Sequence, residues 1–386
     1  MPEHSFVETE SQRLGHALSA AGADFALLSR FEDVCYATGF EVPPPIDAGA
    51  AFAWGPTLAV VDKTGRTRLL VPSSYAARAE EMSRADETIL VDGFGHFEPV
   101  DGEAQFVGAL RAALGDFGIG RAAVVAVDRA SLPAAALEPL EETRLVDLRP
   151  IAGAARLIKT ARELDLLRAA AAAADVGQES LRELASPGRN ELELMGEVIA
   201  RVDRHAGHPL PWAGELVTGP RTGTVRYPGG PIDRQLEAGD TVLMDLSVRR
   251  RGYWADCTNT FVCGAEPTPT QLRYYRAARA AFEAAIEELR PARRACDAHA
   301  AAAAALARHG FEPAHYSGHQ VGTSVNEEPR LVPYDESEIR PGMVFAVEPG
   351  VYGGPAAGTG ARAEKIVLVT ERGPEIISRF GWGMDG

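Results

Sequence analysis

Five residues in the second half of the chain have types and settings that packing alone does not call for: Asp245, Asp256, His319, Glu348 and Glu364. Asp245 interrupts the apolar run Val242-Leu243-Met244-Asp245-Leu246, where strand alternation sends its side chain to a buried or half-buried face. A buried carboxylate without a partner is strongly unfavourable. A second one, Asp256, follows eleven residues later in Tyr253-Trp254-Ala255-Asp256, across a turn containing Gly252. An antiparallel hairpin of that length sets the two side by side on one face, and adjacent like charges call for cations. The anomaly recurs: Glu348 ends the apolar run 343–347, and Glu364 directly precedes the apolar strand 366–369. His319, in Tyr316-Ser317-Gly318-His319-Gln320-Val321-Gly322, supplies one nitrogen, and Gly318 and Gly322 let the backbone come close. Four carboxylates and one imidazole suit a pair of divalent ions such as Mn, Fe, Co or Zn and disfavour a thiolate site. Each residue alone has an ordinary explanation as a turn acid, a strand-end charge or a core histidine. The five together favour a metal centre.

The elements that must position them are strands at 241–247, 253–262, 343–348 and 365–370, with helices at 191–205, 270–289 and 297–308. Before them, residues 157–184 predict one long helix rich in Ala, Leu, Glu and Arg, and Pro150 marks a boundary. The domain junction is accordingly placed near residue 155, giving domains 1–155 and 156–386. In the first, Leu14, Ala17, Leu18 and Ala21 recur at helical spacing and a strand follows at 25–28. Segments 57–61 and 66–71 flank Asp62-Lys63-Thr64-Gly65 as a hairpin, and helices at 76–83 and 106–114 alternate with strands at 122–127 and 144–148. The fold class is therefore α+β, with a mixed α/β amino-terminal domain.

Composition excludes several functions. The chain of 386 residues is long enough for two cores, and its 46% hydrophobic and 24% charged content is that of a folded soluble protein. A formal charge of −15 repels phosphate backbones and anionic lipid, so neither nucleic acid nor membrane is expected as a partner. The triplet Arg249-Arg250-Arg251 reads as a solvated hairpin tip without a catalytic role. Cys35, Cys257, Cys263 and Cys296 match no C-x-x-C spacing, which fits reduced thiols in a cytosolic enzyme. No apolar leader or membrane-length stretch is visible, so a cytoplasmic location is expected. Gly229-Gly230-Pro231 is a turn without the strand-to-helix setting of a phosphate loop.

Asp245 and Asp256 eleven apart, Gly318-His319, Val347-Glu348-Pro349-Gly350 and Gly360-Ala361-Arg362-Ala363-Glu364 resemble the metal-binding signature of the aminopeptidase P, prolidase, creatinase and methionine aminopeptidase family. The amino-terminal part resembles that family's creatinase-like domain through Ala23-Asp24-Phe25-Ala26-Leu27-Leu28 and Tyr36-Ala37-Thr38-Gly39-Phe40, and Ile158-Lys159 with Glu163 match its interdomain helix. The resemblance implies a pita-bread catalytic domain behind a creatinase-like α/β domain, in a homodimer whose partner approaches the active site. It implies that Asp256 and Glu364 bridge two metals, manganese first among them, that Asp245 holds one, and that His319 and Glu348 hold the other. Two metals roughly 3.5–4 Å apart activate water and polarise a scissile carbonyl. Glu348 is then the proton carrier to the leaving nitrogen. His315 matches a substrate-contacting position of aminopeptidase P-like members.

Two positions depart from the family's peptidases, which carry histidines where this chain has Arg226 and Asn326. Arg226 either grips a substrate carboxylate with its planar fork or pairs with a local acid such as Asp233 or Glu237. The expectation is thus a hydrolase of amide C–N bonds in small peptides, akin to Xaa-Pro aminopeptidase and prolidase. Its rivals are a non-peptidase relative, creatinase-like or a lyase, acting on a small carboxylate-bearing metabolite, and a catalytically silent binding module. Intact ligands argue against the last, because an orphaned carboxylate cluster destabilises a fold.

Overall fold

The computed structural model describes residues 8–43, 52, 55–224 and 229–384, which divide into two compact units meeting in sequence at Thr160 and Ala161. Arg226 lies outside the described residues.

The first unit is built on six strands: β1 (Phe25–Leu28), β2 (Leu58–Asp62), β3 (Thr67–Pro72), β4 (Glu87–Val91), β5 (Val124–Val127) and β6 (Arg144–Asp147), in the order β4-β3-β2-β1-β5-β6. Alternation decides which side chain faces which layer. Ala26, Leu28, Ala59, Val61, Leu69 and Val71 pack under the helices Glu10–Ala20, Phe31–Thr38 and Arg149–Arg156. Leu27, Leu58, Val60, Leu70, Val125 and Val127 face the helix Gly102–Asp116 on the other side. The β2–β3 hairpin turns where expected. Asp62 Oδ1 accepts from Thr64 N at 2.7 Å and Arg66 N at 3.1 Å, and Gly65 takes φ +84°.

The helix expected over 157–184 runs Ala161–Leu184, and a separate helix, Arg149–Arg156, precedes it with Pro150, read as a boundary, in its first turn. Between them Lys159 is buried and turns its Nζ back onto Arg156 O at 2.8 Å, capping the first helix with a positive charge at its carboxyl end. The sequence pattern also passed over the helix Phe31–Thr38.

In the second unit β7 (Trp212–Thr218), β8 (Thr241–Arg250) and β9 (Tyr253–Val262) form an antiparallel three-stranded sheet. A five-stranded sheet runs in the order β11-β10-β12-β15-β16, from β10 (Gly318–Gln320), β11 (Glu327–Arg330), β12 (Val344–Val347), β15 (Lys365–Thr370) and β16 (Gly373–Ile376). A short ribbon pairs β13 (Gly350–Tyr352) with β14 (Gly360–Arg362). The helix Ala161–Leu184 packs on β8 and β9 through Leu167, Ala170, Ala174 and Leu181 against Met244, Leu246 and Cys257. Gly177 makes that contact close: a Cβ there would lie 2.3 Å from Leu246 Cδ2. At the β8–β9 turn Arg249 is buried with its guanidinium over the Trp254 ring, its register partner, so this part of the arginine triplet is packed rather than solvated. Arg251, at φ +49°, is the exposed tip.

Candidate metal centre

The hairpin brings Asp245 and Asp256 onto one face, but diagonally. Asp245 pairs with Thr258 and Asp256 with Ser247, so the two acids sit two residues apart across the ladder. His319 comes from β10, whose register against β12 sets it opposite Ala346. Gly318 permits that approach, since it has φ +151° and an added Cβ would stand 2.2 Å from Ala346 O. Glu348 follows β12 and Glu364 precedes β15, so the β12–β15 pairing of Val347 with Lys365 brings their chain segments together.

Four of the candidate side chains converge closely, and Asp245 stands beside Asp256. One atom each from Asp256, His319 and Glu364 lies within 4.8 Å of the others. His319 Nε2 is 3.2 Å from Glu348 Oε1 and 3.7 Å from Asp256 Oδ2. Burial, and next the charge of Asp256, push the Asp245 carboxyl well above the usual carboxylate range, and Glu364 is pushed up by burial and by Asp256, Glu348 and Asp245. For Glu348 burial also acts upward, but the hydrogen bond and charge of His319 outweigh it and hold the carboxyl low. Carboxylates crowded like this are neutralised by protons or by cations.

Whether these residues fit divalent ions is decided by where their oxygens are tied. Asp256 Oδ1 accepts from Ser247 Oγ at 2.8 Å, Glu364 Oε2 from Thr258 Oγ1 at 2.6 Å, and Asp245 Oδ2 from an Arg362 Nη at 2.7 Å. Asp245 Oδ1 and Glu364 Oε1 are buried with no hydrogen-bond partner. His319 holds Nδ1 at 2.9 Å from Gln320 O, so Nδ1–H donates there and Nε2 is the ring atom turned to the cluster, where it would ligate an ion on giving up the proton it shares with Glu348. Each side chain is thus fixed by one atom and offers another inward, and hard oxygens with one imidazole suit divalent ions of the Mn to Zn range.

Arg362, within a quoted motif but given no role from sequence, is buried between Asp245 and Glu215, with its second carboxylate contact at 2.9 Å. Its Nε donates to Thr258 Oγ1 at 3.0 Å, the hydroxyl that serves Glu364. Glu215 could not be read as its partner from sequence, because the pairing depends on β7 lying beside β8 with Glu215 opposite Asp245. Another Nη of Arg362 donates to Tyr352 Oη at 3.1 Å, and Tyr352 Oη lies 3.2 Å from His315 Nε2. Since His315 Nδ1 is 2.8 Å from Tyr316 O and must donate, the tyrosine proton points to Nε2. Both ring nitrogens of His315 are therefore engaged within the protein. Asn326 is exposed, beside the buried Glu327.

The unit that carries the acid-rich cluster follows a six-stranded α/β unit in sequence, and comparison with known proteins is specific. Residues 165–371 match the model of metallopeptidase family M24, and residues 11–162 match the creatinase/prolidase amino-terminal domain. The chain belongs to metallopeptidase family M24. It is 29% identical over 377 residues to the probable dipeptidase PepE of Mycobacterium tuberculosis, covering 95% of this chain and 93% of that protein. It is 30% identical over 226 residues to the Xaa-Pro dipeptidase of Pyrococcus furiosus, covering 58% of this chain and 64% of that one. Among solved structures it superimposes on the prolidase from Pyrococcus horikoshii OT3 with TM-score 0.78, at 23% identity over 97% of this chain and 99% of that one. Dipeptidase PepE from Mycobacterium ulcerans gives TM-score 0.76 at 25% identity, over 97% and 96%. The fold is thus the creatinase-like domain followed by the pita-bread catalytic domain.

Proposed function

We propose that the chain is a dinuclear-metal-dependent hydrolase of amide C–N bonds in small peptides, of the Xaa-Pro dipeptidase kind, working as a homodimer. The observation that carries this is the buried cluster of Asp245, Asp256, His319, Glu348 and Glu364, in which Asp245, Asp256, His319 and Glu364 are each tied by one atom to a neighbouring donor or acceptor and Glu348 lies against His319. Asp256 and Glu364 would bridge, Asp245 would complete one site, and His319 with Glu348 the other. Two divalent ions, manganese foremost, supply a nucleophile at neutral pH and polarise the scissile carbonyl when bound.

The protein's own groups do the rest. Arg362 keeps the Asp245 carboxylate turned so that Oδ1 faces the cluster, and offsets part of its negative charge. Glu348, buried beside His319, is placed to take a proton on its carboxylate and pass it to the leaving nitrogen. Burial, aided by the Arg362 charge, favours neutral His315, and Tyr352 orients its ring at the edge of this network.

A second reading, a non-peptidase hydrolase or lyase of a small carboxylate-bearing metabolite, is favoured by Arg226 and Asn326 standing where the family's peptidases carry histidines. Metal-loaded protein assayed against Xaa-Pro dipeptides, longer Xaa-Pro peptides and a panel of N-acyl and amidino acids separates the two. Turnover of the dipeptides supports the proposal, whereas turnover confined to the metabolites overturns it in favour of the rival.

A further inference from the structure

Behind the two carboxylates assigned as bridging, the residue following each is fastened to one segment, residues 377–382. Cys257 follows Asp256, and its Sγ lies 3.5 Å from Ser378 Oγ. Lys365 follows Glu364, and its ammonium donates to Phe380 O at 2.5 Å and Ser378 O at 3.4 Å. Ser378 Oγ also accepts from Ile366 N at 2.7 Å. One serine therefore ties β9 and β15 together immediately behind the cluster.

The segment is itself held on every side. Asp175 accepts from Arg379 N at 2.8 Å and Phe380 N at 3.2 Å. Asn259 Nδ2 donates to Gly381 O and an Arg182 Nη to Trp382 O, both at 3.0 Å. Lys365 is buried, with its Nζ 4.2 Å from the Phe380 ring centre and 4.7 Å from that of Trp382, which in turn carries Arg279 at 4.2 Å. A buried ammonium surrounded by ring faces and carbonyls is a costly way to fill space, and an apolar side chain of similar volume would pack as well or better. What the charge adds is direction: it draws two carbonyls of the segment onto the first residue of β15.

We propose that residues 377–382, through the Lys365 cage and Ser378, are the positioning element that sets the spacing of Asp256 and Glu364 and so the pairing of the two metal ions. The inference rests on the dinuclear reading above. A shared pair of ions tolerates displacements of only about half an ångström in its ligands, so loosening this fastening disturbs the pairing before it disturbs the fold.

The test uses the full chain and Mn²⁺, titrated by calorimetry and followed by electron paramagnetic resonance, on the wild type, Lys365→Met and Ser378→Ala. The expected result is that both variants keep a metal-free melting temperature within about 3 °C of wild type. They should bind the second Mn²⁺ at least tenfold more weakly and lose most of the spin-coupled signal of the wild-type pair. Retention of both ions at wild-type affinity with the coupled signal intact overturns the proposal. So does a loss of affinity that merely follows a loss of stability. If Lys365→Met does not fold, Ser378→Ala decides the matter alone. A wild type that binds no pair of ions brings down the dinuclear reading itself, and this inference with it, which is a different result from normal pairing in the variants.

Discussion

The proposed ligands stood out as a set rather than one by one: four acids inside or at the ends of strands ask for partners, and His319 between two glycines adds a nitrogen. Their supports were not legible, since Arg362, Glu215, Thr258 and Ser247 meet them only through strand register. Arg362 is the member with most at stake. Replacing it by Met leaves Asp245 and Glu215 buried without their shared cation, which costs about 3–5 kcal/mol of stability. Urea unfolding of the metal-free protein measures this, and a change under 1 kcal/mol would show the pairs to be dispensable. Tyr352→Phe removes the proton that satisfies His315 Nε2 while sparing every proposed ligand. Metal content should stay at the wild-type value while kcat/KM falls roughly three- to tenfold, the size of one buried hydrogen bond.

At the scale of elements, long periodic segments declared themselves and short ones did not. The hairpin of β8 and β9 is carried by ten-residue strands, whereas β10, β13 and β14 have three residues each, too few for alternation to register. The strand β7 was missed because Trp-Ala-Gly-Glu-Leu-Val-Thr mixes a glycine and an acid into a short run. That glycine is structural: Gly214 has φ +140°, and a Cβ there would lie 2.1 Å from Asp245 O, so β7 can pass beside the ligand strand. From the other side the helix Ala161–Leu184 presses on the same hairpin at Leu246. Leu246→Ala should cost about 2–5 kcal/mol, read as a lower denaturation midpoint at unchanged slope. An unaltered midpoint would mean that this packing does not support the hairpin.

For the whole molecule, the arrangement couples metal to fold. The five proposed ligands come from separated stretches of one unit and meet only in the native state, so ions held by them would favour it over the unfolded chain. Metal at about a hundred times its dissociation constant should add about 2.7 kcal/mol and raise the melting temperature, reversed by a chelator. Among the described residues no helix is long and apolar enough to cross a membrane. Sedimentation equilibrium tests the proposed dimer. The most direct test of the central claim is metal content after reconstitution with Mn²⁺ and removal of free ion. The five-ligand centre predicts about two ions per chain in the wild type, none in Asp256→Ala or Glu364→Ala, and about one in His319→Ala. A reconstituted wild type without bound metal, or ligand variants that all retain two ions, would contradict it.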